Sequence, residues 1–446
     1  IIFHPYRILT VFGENNKWGS FPSIGTGYNF SDDLNWKSLN FGKLRASWGR
    51  SGMQFYKPFL ALGILEVGMP YQGNATILPD WYEGLFNQSL SWEQTDQYDI
   101  GLDLDFLDSR LGIVTDYYYR YTDKLLNRVV LPGSGTYGGY TTQWRNGAAI
   151  SNEGVELYVK YEIIRRPELY WKVSVNGAKN WNRFAKSYNG RDDGSGYGQG
   201  RIIGKPLNGI WVYKTDGFVN NQHDLPIIYN AIGQSNYYAP NFNPGSFYRP
   251  GDYNYIDING TGDFGNSDYW NAGSALPEVS GGLVNEFRYK NFDCNILMSF
   301  QLGRYILNKL PGTSVATDLT IYFMHPLLLD MRDVSFWEKK GDQSTFPTNQ
   351  LEAFAKSMFS QPVDRFVQKV NWLKLKTVTA GYNWNSPVIK RAGISQLRFF
   401  ISGENLLTFT NYTGLDPETV DISTGSDSGM NYPLARKLTL GITAKF

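Results

Sequence analysis

The sequence predicts an all-β fold: an antiparallel transmembrane β-barrel, of which this chain supplies about eleven strands. Three observations carry that prediction. Long segments alternate apolar and polar residues with period two. The composition is rich in strand-favouring aromatics (31 Tyr, 27 Phe and 13 Trp) and in glycine, which numbers 47. Short and long connections follow one another in strict alternation.

The chain ends in "RKLTLGITAKF" (436–446), where Leu438, Leu440, Ile442, Ala444 and Phe446 share one face and Lys437, Thr439, Gly441, Thr443 and Lys445 the other. The same pattern is clear in "YDIGLDLDF" (98–106), "LGIVTDYYYRYT" (111–122), "VELYVKYEI" (155–163) and "FDCNILMSFQL" (292–302). Weaker copies lie near 18–30, 41–51, 170–181, 279–290, 370–383 and 396–407, which brings the count to eleven. A slip of one residue would turn the charges of each segment onto its apolar face, so the register is strongly specified. Many segments reach the ~9–11 residues a tilted strand needs to cross a bilayer. Mean hydropathy is −0.37 and no run of 18 apolar residues occurs, which excludes a transmembrane helix but not a barrel, whose lipid face is carried by alternate residues.

Short connections fall at 31–40, 107–110, 164–169, 290–291 and 385–395, and long ones at 52–91, 125–150, 184–277, 305–366 and 409–433. Two kinds of connection in alternation mean two different ends, as in outer-membrane barrels with tight periplasmic turns and long extracellular loops. The last strand then ends in the periplasm. A soluble sandwich or propeller also alternates, but long strands, a heavily charged polar face and long connections on one side favour the barrel. Eleven strands leave open edges in lipid, and single-chain bacterial barrels have an even count. The whole of 1–446 is therefore expected to be the C-terminal part of a barrel. Its partner strands lie upstream of Ile1, and eleven more make twenty-two, the size of plugged transporters.

Net charge is +1 on 42 basic and 41 acidic residues, so no nucleic-acid partner is implied. The single cysteine, Cys294, excludes an internal disulfide framework, and three distant histidines (His4, His223, His325) build no usual zinc site.

Several stretches resemble the SusC/RagA family of TonB-dependent outer-membrane transporters. They are "LSWEQTDQYDIGLDLDFLDSRLGIVTDYYYRYTDKLL" (90–126), "AISNEGVELYVKYEII" (149–164), "IGKPLNGIWVYKTDGFV" (203–219), "PGDYNYIDINGTGDFGNSD" (250–268), "WLKLKTVTAGYNW" (372–384) and "LRFFISGENLLTFTNYTGLDPE" (397–418). The likeness runs from about residue 14 to the end, in the family's order. The resemblance implies import of a large nutrient, an oligosaccharide or oligopeptide, across the outer membrane of a Gram-negative, Bacteroidota-like cell. It implies a SusD-like surface lipoprotein as partner, and TonB acting through an N-terminal region and plug domain not seen in this sequence. The alternatives are a non-transporting scaffold barrel in an outer-membrane complex and an open porin.

"DINGTGDFGNSD" (257–268) nearly matches a twelve-residue calcium loop, with Asp257, Asn259, Thr261, Asp263 and Asp268 as ligands and Gly262 at the sharp turn. Thr261 at the fifth position and Asp268 in place of a bidentate Glu depart from it, and a Gly/Asn/Asp-rich turn explains the same residues. No other cofactor is expected. "GSGTYG" (133–138) satisfies G-x-G-x-x-G but lacks the strand–turn–helix setting that phosphate binding needs. Charges expected to face inward (Asp99, Asp103, Asp116, Arg120, Glu156, Lys160, Glu286, Arg288, Arg398 and Glu404) include carboxylates of the kind that glycosidases use in pairs. A wet lumen with paired charges is the plainer reading, and no enzyme is expected. Tyr117, Tyr119 and Tyr121 fit an outward aromatic girdle. Trp81, Tyr82, Trp211, Tyr237, Tyr238, Tyr269 and Trp270 lie in long connections, where rings stack on sugars, meet a lipoprotein or pack the loops together.

Overall fold

The structure is a computed structural model. It describes the chain except residues 1, 4–5, 9–11, 13–15, 35, 55–59, 62, 64, 80–83, 132–140, 191–200, 222–226, 230–234, 238–248, 259, 261–267, 310–334, 349–361, 392 and 430. Eleven long strands dominate it: β1 (Ser23–Asn29), β2 (Leu39–Met53), β3 (Glu93–Phe106), β4 (Leu111–Val130), β5 (Thr142–Arg165), β6 (Leu169–Lys186), β7 (Val279–Tyr289), β8 (Phe292–Asn308), β9 (Val367–Trp384), β10 (Gln396–Thr410) and β11 (Lys437–Lys445). They are the eleven segments the alternation picks out.

The chain divides into two compact units. The first comprises 1–193, 201–207 and 283–290 and the second 194–200, 208–282 and 291–446. In the first unit β1 to β6 are antiparallel neighbours in chain order. In the second, β8 to β11 follow the same rule. The connection between β3 and β4 is tight, and Leu107, Asp108 and Ser109 all take positive φ in it.

The expected connection at 125–150 is shorter than its span suggested, because β4 runs to Val130 and β5 begins at Thr142. The pairing of β4 with β5 shifts register between Asn146 and Ala148 and again between Ala148 and Ile150, and Lys124 opposite takes φ 56°. Bulges of this kind reset the inside–outside alternation, so the sequence pattern breaks while the ladder continues. The "GSGTYG" stretch lies outside the described residues.

Within each unit the register sorts side chains cleanly. Ile100, Tyr117 and Val155 fall opposite one another across β3, β4 and β5, and Leu102, Thr115 and Leu157 form the next row. In the second unit Ala380, Ile401 and Leu440 align, as do Tyr382, Phe399 and Ile442. Cys294 joins this face opposite Ala380. This face is bare: Leu440 is 81% and Ile442 67% exposed. Leaving such a side chain in water forfeits about 1.5–3 kcal/mol. Rows of them are stable only against hydrocarbon.

The buried apolar clusters form in connections and at strand ends. Phe12, Leu60, Ala61, Leu90 and Trp92 make one in the first unit. In the second, Tyr213, Phe218, Val219, Tyr253, Tyr255 and Val363 make another, built on the pairing of Thr215–Phe218 with Tyr253–Tyr255. A third joins Ile306, Val370 and Trp372 to Tyr412 and Val420 of the connection after β10.

Candidate lumenal surface and the folded-back connection

The face opposite the apolar one is polar, and most of its charges are paired across strands, although Asp99 and Glu156 make no ion pair among the described residues. In the first unit the Arg45 guanidinium donates twice to Asp103 at 2.8 Å and once to Asp116 at 2.7 Å. Lys160 faces Asp105 at 3.5 Å, and Lys172 faces Glu286 at 2.7 Å. Arg120 donates to Gln97 at 3.0 Å. A Cβ at Gly101 would stand 2.2 Å from Asp116 Oδ1 and 2.5 Å from the Arg45 guanidinium carbon, so glycine there lets the guanidinium lie flat on the sheet. In the second unit Arg398 pairs with Asp293, which also accepts from Asn383 at 2.8 Å. Lys437 lies 3.6 Å from Glu404. Of the charges expected inward, Asp103, Asp116, Arg120, Lys160, Glu286, Arg398 and Glu404 are thus found in polar pairs. Arg288 instead lies over the Tyr170 ring at 5.5 Å.

Above this surface, in the second unit, the connection between β10 and β11 folds back onto the polar face of β8 and β9. Lys374, between outward-facing Leu373 and Leu375, is buried. Its ammonium donates to Asp416 at 2.6 Å and lies 2.8 Å from Glu418, which also receives Lys376 at 2.6 Å. Arg304, 1% exposed, donates to the carbonyl oxygens of Ala275, Pro417, Val420 and Asp421 at 2.9–3.1 Å. The Tyr412 hydroxyl donates to Asp427 at 2.5 Å. Burial pushes the Asp416 and Glu418 carboxyls up, but Lys374 with the Glu418 and Leu434 amides at Asp416, and Lys374 with Lys376 at Glu418, outweigh it and hold both below the usual range. Burial first, and then Asp427, push the Tyr412 hydroxyl well up.

This cluster was not singled out from sequence as a site. The signal was present: "LKLK" puts two lysines two apart on one strand face, and "DPE" puts two carboxylates at the same interval.

Of the expected calcium ligands, Asn259, Thr261 and Asp263 lie outside the described residues. Asp268 is fully buried and accepts from the Ile258 amide at 3.2 Å, while Asp257 accepts from the Gly260 amide at 2.7 Å. Among the loop aromatics, Trp81, Tyr82 and Tyr238 also lie outside the described residues, and Tyr237 is placed by its backbone, paired with Ile227. Tyr269 stacks on Tyr213 with ring centroids 4.4 Å apart and so closes the aromatic cluster beneath it. Trp211 is half-buried opposite Asn271. Trp270 is 40% exposed, with the Lys214 ammonium 5.6 Å from its ring centre.

An antiparallel sheet with one bare apolar face and one face of paired charges defines the wall of an outer-membrane β-barrel. The sequence pattern of TonB dependent receptor-like β-barrels matches residues 6–272, and the chain belongs to that family. It is 28% identical over 458 residues to TonB-dependent receptor P3 of Formosa agariphila, covering 98% of this chain and 42% of that protein. It is 25% identical over 454 residues to the TonB-dependent receptor SusC of Bacteroides thetaiotaomicron, covering 98% and 41%. The structure of the RagAB peptide transporter superposes with a TM-score of 0.72 at 19% identity, over 98% of this chain and 44% of that one. These relatives bear out the SusC/RagA resemblance. The chain spans about two fifths of the length of the curated relatives it matches.

Proposed function

We propose that this chain forms part of a TonB-dependent importer that takes a large nutrient, an oligosaccharide or oligopeptide, across the outer membrane without covalent chemistry. The observation that carries the reading is that each unit has two faces: exposed Ile100 and Tyr117 opposite Arg45–Asp103–Asp116 in the first, and exposed Leu440 and Ile442 opposite Arg398–Asp293 in the second. A polar face on which most charges are paired suits a water-filled passage for polar cargo. The long connections face the cell exterior and β11 ends in the periplasm. A SusD-like lipoprotein meets those connections, and TonB acts through polypeptide outside this sequence. Calcium binding by 257–268 belongs to the same proposal, with the buried Asp268 as its fixed end.

The test is uptake of labelled oligosaccharide and oligopeptide mixtures by cells with and without the full-length gene, before and after collapse of the proton gradient. Gene-dependent, gradient-dependent uptake is expected. Unchanged uptake in the deletion, with loss of an outer-membrane complex instead, would establish the scaffold reading.

A further inference from the structure

On the outward face of β6, Trp171 and Trp181 mark the two ends of an apolar band. Both fall on the side of Val173 and Val175, which pair with Tyr161 and Val159. Ten residues at ~3.3 Å each, tilted by roughly 40°, span about 25 Å, the height of a barrel's lipid belt. Trp171 stands beside the tight turn between β5 and β6, so Trp181 marks the belt's other edge, at the end bearing long connections.

Two cations flank Trp181 on this outward face. Lys179, opposite Val155, lies inside the belt, and its ammonium reaches up to 5.0 Å from the Trp181 ring centre. Arg183, opposite Ser151, lies just beyond it. The neighbouring charge is neutralised: Arg183 donates to Glu153 at 3.1 Å. Among the described residues Lys179 has no carboxylate within ion-pair distance. It therefore stands as one uncompensated positive charge at the belt edge, where a lysine on the lipid face is tolerated only by reaching the headgroups.

We propose that Lys179, Trp181 and Arg183 form a docking site for the phosphate of an anionic outer-leaflet lipid. Lys179 meets the phosphate from below, its stem lying on the apolar band. Arg183 offers it the guanidinium N–H groups that Glu153 does not take. Trp181 lies against the sugar or glycerol carbons beneath. The site rests on the proposed orientation, in which long connections are extracellular.

The test is native mass spectrometry of the full-length protein in non-ionic detergent, titrated with lipid A and with its enzymatically dephosphorylated form. Wild type is expected to retain one lipid A and to lose it when the phosphates are removed. Lys179→Gln should weaken retention by about fivefold, the effect of one cation near an anionic headgroup. Lys179→Arg should restore it. Equal retention of both lipid forms, or of lipid A by wild type and Lys179→Gln, would overturn the proposal. Folding is checked on the same sample by its thermal transition, which a half-exposed surface change should leave in place. Fractionation of the variants with the outer membrane, and nutrient uptake, report separately on the proposed function.

Discussion

Lys374 Nζ stands 2.6 Å from Asp416 Oδ1 and 2.8 Å from Glu418 Oε2, with the lysine side chain 2% exposed. A strand cation thus meets two carboxylates from the connection that follows the next strand. Burial makes the arrangement all-or-nothing, because each charge is tolerable only while the others are present. Lys374→Met should cost about 3–5 kcal/mol of local stability by stranding buried carboxylate. In the proposed orientation, protease added to intact cells should then cleave within 411–436, where wild type resists. Resistance equal to wild type would show that the pair does not hold the segment.

The same network sets a pH dependence. Asp416 and Glu418 are held below their unfolded values, so the unfolded state takes up protons first as pH falls. Their contribution is fully present above about pH 4, the ordinary carboxylate range, and is lost as pH drops through the lower folded values. Cleavage of 411–436 by an acid-active protease should begin only below about pH 4. An onset near neutrality would point to another group.

Arg304→Lys should fail to replace the native residue. A lysine has three donors and no rigid fork, so at least one of the four bonds to Ala275, Pro417, Val420 and Asp421 is lost and the rest are misaligned. A loss of about 2–4 kcal/mol is expected in thermal unfolding. A variant as stable as wild type would mean that the carbonyls find other donors.

Leu440 and Thr439 test the two faces. Leu440→Lys puts a charge on the outward face and should cost roughly 2–4 kcal/mol if the site lies at mid-bilayer. Thr439→Lys puts it on the polar face and should leave assembly unchanged. Heat-modifiable migration of the full-length protein reads both. Equal behaviour of the two variants would remove the distinction between the faces.

Calorimetry of the full-length protein with calcium should show saturable binding that Asp268→Asn weakens by tenfold or more. A flat wild-type titration leaves the 257–268 stretch as a turn.

The wall was legible because its physics is periodic. Each strand must satisfy hydrocarbon on one side and water on the other, so Ile100 and Asp99, or Leu440 and Thr439, announce their faces from sequence. The upper parts of β4 and β5 were not, since bulges near Ala148 reset the alternation. The folded-back connection was missed for a different reason. Contacts such as Lys374 with Asp416 and Arg304 with Val420 join residues about forty and more than a hundred positions apart, and no local pattern encodes them. Loop aromatics such as Tyr269 could not be divided into packing rings and open ones until Tyr213 was found stacked against one of them.

Cys294 aligns with Ala380 on the face that meets lipid. The sole sulfhydryl of this sequence is thereby withdrawn from aqueous oxidants and from charged alkylating agents, yet open to reagents that partition into oil. A fluorophore attached there would sit among acyl chains, and quenchers placed at graded depths in the bilayer would measure how high the wall rides in its membrane.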